Sequence, residues 1–175
     1  MINHSSTAAC VVALLAAACA GTGPVDVPAT LEPGPNEALF MIASARGVQI
    51  YECRARADGA AGGQWVFVAP EAELFDARGR SIGRHGAGPY WQANDGSRVA
   101  GKQKSRVDAP VAGAIPWLLL TAAPAGAEGR FGKVSSIQRV GTAGGTAPAG
   151  GCDRTTIGTP IRIPYTADYY FFSAG

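Results

Sequence analysis

Apolar residues fall along this chain in short runs, several of them alternating with polar positions, at 39–43, 48–54, 65–69, 99–102, 117–122, 134–140, 161–163 and 169–172. Alternation with a period of two is the signature of a strand whose two faces meet different surroundings, whereas an amphipathic helix needs apolar positions three and four apart. No longer window carries such a helical stripe. Turn signals separate the runs, among them Asp58-Gly59, Asp76-Ala77-Arg78-Gly79 and Asp95-Gly96. Trp65, Phe67 and Ala69 alternate with Val66 and Val68, so that run is apolar on both faces and reads as a central strand. Many short strands joined by tight turns predict a mostly-β fold, a single-domain antiparallel β-sandwich or small β-barrel, over residues 38–175.

Two segments precede that domain. Residues 1–20 carry an apolar stretch around Val11, Val12, Leu14 and Leu15 that ends in Ala16-Ala17-Ala18-Cys19-Ala20. It is too short to cross a bilayer, which takes about 20 apolar residues, and suits a signal peptide with a small-residue cleavage site. Cleavage before Cys19 would give a bacterial lipoprotein with an acylated cysteine and membrane attachment through its N-terminus. Leu15, however, lies four residues before Cys19 where three is usual. Cleavage after Ala20 would give a freely secreted protein, and the lack of Lys or Arg before Arg46 leaves a non-exported chain as the third reading. Residues 21–37 are Pro- and Gly-rich without periodicity and read as a flexible tether.

Charge and cysteine content narrow the classes. A net charge of +2 gives no electrostatic reason to expect nucleic acid as a partner. The 24 glycines and 12 prolines punctuate the whole chain, which agrees with many short elements. Of four cysteines, Cys53 and Cys152 lie beyond the leader, and neither belongs to a C-x-x-C pair, so zinc-ribbon and thioredoxin patterns fail on spacing. An even pair in an exported chain predicts a disulfide, the alternative being two separate buried thiols.

Few catalytic patterns survive inspection. Gly79-Arg80-Ser81-Ile82-Gly83 fits the nucleophile-elbow motif, but that chemistry needs a histidine later in the chain, and His85 is the last one. The segment therefore reads as a turn. His85 with Asp95, Glu71, Asp153 or Asp168 would make a mixed metal site, against the plainer reading of a loop histidine. Glu71 with Glu73, or Asp153 with Asp168, would be the carboxylate pair of a polysaccharide hydrolase. Walker A, Rossmann and EF-hand patterns are absent, so no cofactor is expected.

The segment 83–101 gathers the most recognition chemistry. His85, Tyr90, Trp91 and Asp95 stand among glycines that let a ligand approach the backbone, and aromatic faces beside polar groups suit a saccharide or another small amphipathic molecule. These four residues form the candidate ligand groove. The competing reading makes Trp91 core and Asp95-Gly96 a hairpin turn.

Several blocks together resemble a known family. They are Gly47-Val48-Gln49-Ile50-Tyr51-Glu52-Cys53, Trp65-x-Phe67 running into Ala69-Pro70-Glu71-Ala72, His85 with Gly88-Pro89-x-Trp91, and Asp95-Gly96-Ser97. Further along come Pro116-Trp117-Leu118-Leu119-Leu120, Ile137-Gln138-Arg139-Val140, Gly144-Gly145, Gly151-Cys152 and Pro164-Tyr165-Thr166-Ala167-Asp168-Tyr169-Tyr170. The chain resembles a family of uncharacterised exported bacterial and fungal proteins described as a domain of unknown function. That resemblance implies export, one mostly-β domain and Cys53–Cys152 pairing, and it supplies no activity, cofactor or catalytic residue. The expectation is thus an exported domain, outer-membrane lipoprotein, periplasmic or extracellular, acting as a binding or structural module. The alternative is an envelope polysaccharide hydrolase using a carboxylate pair.

Overall fold

In the computed structural model, which describes residues 25–175, the alternating runs become eight strands. They are β1 (Glu37–Ala55), β2 (Gly63–Phe75), β3 (Ser81–Gly86), β4 (Tyr90–Ala93), β5 (Arg98–Val107), β6 (Trp117–Pro124), β7 (Val134–Gly144) and β8 (Pro160–Ala174). Each pairs antiparallel with its neighbour in sequence, and β1 also pairs with β8, so the sheet closes into an up-and-down barrel. Of the two β architectures expected, the barrel is the one formed. Its closing seam is long, running from Glu37 opposite Ala174 to Glu52 opposite Pro160. The leader and Cys19 lie outside the described residues.

Residues directly opposite in an antiparallel pair point to the same face, and the register therefore sorts the side chains. Ala45 faces Leu74 and Ala167, His85 faces Trp91, Trp91 faces Val99, and Leu120 faces Ile137 and, through it, Phe171. These residues, His85 apart, belong to one buried cluster inside the barrel, and His85 is buried beside them. The runs at 117–120 and 169–172 are apolar on both faces because both faces are covered. Trp117, Leu119, Val140, Tyr170 and Phe172 point outward and form a second cluster with Leu31, which is fully buried.

Leu31 ends a short 3₁₀ turn, Ala29–Leu31, in the segment that composition marked as tether. From Val25 on, this arm lies against the outside of β5–β8. The Val25 amide donates to the Tyr170 hydroxyl (3.1 Å), and the Gln138 side-chain amide donates to the Leu31 carbonyl (2.6 Å). The run at 65–69 behaves oppositely to expectation. Phe67 and Val68 are 49% and 46% exposed, because β2 continues past the end of its neighbour β3.

The two ends of the barrel differ. At one end the segment after β6 tucks Phe131 into the interior, stacked on Phe171 at 4.8 Å, and Phe131 is held by its amide donating to Ser97 Oγ. At the other end the β6-side loop 108–116 and the β7–β8 loop 145–159 join through a bridge between Ala114 and Gly145. Thr142 Oγ1 donates to the Ile115 carbonyl beneath them. The Cys53–Cys152 disulfide, spanning 99 positions, ties the second loop to β1.

Candidate functional site

The wall of the barrel is not equally tall all round. β3 pairs with β2 only between Ala72 and Phe75, and β4 pairs with β5 only between Arg98 and Ala100. The tip of the β3–β4 hairpin, Ala87-Gly88-Pro89, therefore stops short, while β2 back to Gly63 and β5 on to Val107 continue beyond it. A notch is left between them. It opens into an interior cavity of about 650 Å³ whose sides include Phe67, Val68 and Pro70 of β2, Gly88 and Pro89 of the hairpin, and Gln103 and Arg106 of β5. That volume falls within the range of small-molecule sites, and eight strands enclose about enough space for one small ligand.

Three aromatic rings line its depth. His85 stacks on Trp91 with centroids 4.3 Å apart and planes 15° from parallel, and Tyr169 meets both rings, at 5.1 and 5.3 Å. Space for the indole comes from Gly101, where a Cβ would stand 2.7 Å from Trp91 Cζ3. The imidazole Nδ1 lies 2.7 Å from the Tyr90 carbonyl. A carbonyl only accepts, so Nδ1 carries the proton and Nε2 is left as an acceptor. Burial holds the His85 pKa down to about 3, despite the opposing carbonyl hydrogen bond, and the Arg139 charge pushes the same way as burial. His85 is therefore a neutral imidazole at physiological pH.

Four buried side-chain N–H groups among the described residues lack partners, two on the cavity residues Trp91 and Gln49 and two elsewhere, on Arg98 and Trp117. Trp91 Nε1 and Gln49 Nε2 belong to side chains only 1% and 2% exposed, and neither has a hydrogen-bond partner. Buried donors are nearly always satisfied, because leaving one bare costs about 1 to 3 kcal/mol. Arg139 also faces inward, as its register partners Leu118 and Tyr169 do. Its Nε and Nη2 donate to the Pro116 carbonyl at 3.1 and 2.8 Å. Among the described residues no carboxylate lies within 4.0 Å of it. Burial raises the pKa of Tyr51, Tyr165 and Tyr169, and the Arg139 charge partly opposes that rise, so these phenols stay neutral.

The four residues of the candidate groove separate. His85 and Trp91 face the cavity. Tyr90, one position along β4, lies on the outer face with the Arg98 guanidinium 3.9 Å above its ring. Asp95 sits in the β4–β5 turn, where Gly96 adopts φ +87°. Its carboxylate accepts from the Ser97 hydroxyl and amide and from the Arg130 amide, and those bonds hold its pKa down to about 2. Gln49, Arg139 and Tyr169 also line the cavity, and none of them was among the candidate site residues. The available signal was Arg139 itself, a charge two positions from Ile137 and so on the inward face of β7.

The acidic candidates lie elsewhere. Glu71 is exposed on β2 and paired with Arg162 at 2.9 Å, beside a shallow outer depression that Glu73 and Arg84 also line. Asp153 caps its own turn through Thr155 and Thr156, and Asp168 is a half-buried β8 residue whose pKa burial raises. None of these four carboxylates lines the cavity. Among the described residues no three His, Cys, Asp or Glu side chains gather as a metal site. Ser81 is exposed at the start of β3, directly after the Asp76–Arg80 turn.

No curated protein and no solved structure matches the chain significantly. A family model does match, over residues 33–173, which is the barrel nearly entire. The chain belongs to the family described as Protein of unknown function (DUF3455).

Proposed function

We propose that this protein is an exported binding module that holds one small, largely apolar molecule inside its barrel, admitted through the notch above the β3–β4 hairpin. The observation that carries the reading is the cavity itself, about 650 Å³ and walled mainly by aromatic and aliphatic side chains, with Gln49, Gln103, Arg106, Arg139 and Thr146 as its polar exceptions. The apolar body of a bound molecule would replace water against Leu118, Leu120 and Trp91. Such a lining favours an apolar ligand over a free saccharide. Export belongs to the same reading, supported by the apolar leader and by a disulfide of the kind that persists in oxidising compartments. Anchoring through Cys19 would hold the barrel at a membrane surface.

Thermal unfolding against a panel of aliphatic and aromatic compounds and of oligosaccharides tests the reading. A ligand at a hundred times its dissociation constant stabilises the native state by about 2.7 kcal/mol. We expect an apolar class to raise Tm in the native chain and not in Leu118→Trp, whose indole would fill the cavity. A shift that survives Leu118→Trp, or one confined to oligosaccharides, would contradict an interior apolar site.

A further inference from the structure

Resting on that reading, we infer that the molecule held in the barrel is a carboxylic acid, its carboxylate seated on Arg139. The cavity carries two guanidinium groups, Arg139 and Arg106, and no Asp or Glu lines it. The two arginines occupy one rung of the barrel, since Arg106 pairs with Leu118 and Leu118 with Arg139. Arg106 is exposed at the notch, with Asp108 3.8 Å away, whereas Arg139 has no carboxylate counterpart among the described residues. Arg139 is partly buried, and a cation drawn even in part from water is ordinarily paired, because desolvating it is costly.

The geometry of Arg139 specifies the shape of the missing partner. Nε and one N–H of Nη2 both point at the Pro116 carbonyl, fixing the plane of the guanidinium. The other N–H groups of the guanidinium, beside the Tyr169 hydroxyl with which Arg139 also interacts, are donors that match the oxygens of a carboxylate. The rest of the cavity suits what such an acid would carry behind its head group: the Trp91 and Tyr169 rings, Leu118 and Leu120. Arg106 at the entrance would draw an anion toward the notch before it reaches Arg139.

The test titrates the purified full chain with decanoate and 4-phenylbutanoate, and with their methyl esters, following tryptophan fluorescence and Tm. Arg139→Met and Arg139→Lys are run in parallel, with decyl phosphate as a second anion. The acids should bind the native chain about ten- to a hundredfold more tightly than the esters. Arg139→Met should erase that preference while keeping ester affinity, and ester binding also shows that the variant is folded. Arg139→Lys should retain part of the preference, because charge survives without the fork. If Arg139→Met does not fold, the acid-to-ester ratio of the native chain and its partial loss in Arg139→Lys decide the matter. Equal binding of acids and esters would overturn the carboxylate assignment and leave the apolar cavity standing. Tighter binding of decyl phosphate than of decanoate would overturn the choice of anion. Binding of none of these probes would count against both the assignment and the cavity reading.

Discussion

At position 85 a single histidine joins fold and site, and its protonation has a definite cost. The imidazole is buried against Trp91 and neutral, with its pKa held near 3 against about 6.5 in an unfolded chain. Between those values the unfolded state binds the proton and the folded state does not. Stability from this group is thus full above about pH 6.5 and declines as pH falls toward about 3, by at most about 1.4 kcal/mol per pH unit. Comparing chemical denaturation of the native chain and His85→Asn from pH 7 to pH 4 isolates the effect, because the other titrating groups are common to both. The native chain should lose stability faster on acidification, and parallel curves would show that His85 is not held neutral.

Gly101 is a second residue-scale test. Its missing side chain is occupied by the Trp91 ring and by Leu120 Cδ2, 3.2 Å from where a Cβ would be. Gly101→Ala should therefore overpack the interior, at a cost of about 1 to 3 kcal/mol, and shift the fluorescence of Trp91. An unchanged Tm would mean the indole sits elsewhere.

At the scale of elements, two features outside the strands support the barrel. The arm at 25–31 seals the outer face of β5–β8, and Leu31→Ala should cost roughly 2 to 5 kcal/mol in thermal or chemical unfolding if Leu31 is the plug of that face. The Cys53–Cys152 bridge closes a loop of about a hundred residues, worth up to about 4 to 5 kcal/mol through the unfolded chain. The Cys53→Ala, Cys152→Ala double variant should lose a large part of that.

These elements also show what the sequence could and could not reveal. The strands and turns were readable because alternation and Asp-Gly pairs are local signals, and the cysteine pairing because parity and compartment leave few choices. The arm was not readable, since its few apolar residues, Val25, Val27 and Leu31 foremost, make too short a run to read as an element and most of what they cover is distant in sequence. The run at 65–69 misled for a related reason. Its double-faced apolarity matches that of 117–120, but one lies under the arm and the other beside an open notch, a difference set by the length of β3 and β4. His85 and Trp91 could be grouped from their proximity in one hairpin. Arg139 and Gln49 reach the same cavity only through closure of the barrel.

For the whole molecule, the consequence of that closure is an enclosed space with one low wall. Its far end is filled by Phe131 and Phe171, its near end is partly roofed by loops that the disulfide anchors, and the notch faces the short hairpin. The chain has three tryptophans, and they report on different places. Trp91 lines the cavity, Trp117 lies under the arm on the opposite side of the wall, and Trp65 donates to the Gly150 carbonyl on the outside. The measurement that tests an interior binding site most directly is therefore a proton–nitrogen correlation spectrum of the indole region during titration with 4-phenylbutanoate. The Trp91 Nε1–H resonance should shift as the phenyl ring settles against the indole, while the Trp117 resonance stays in place. Movement of Trp117 with Trp91 unchanged, or no movement at saturating ligand, would contradict an interior site.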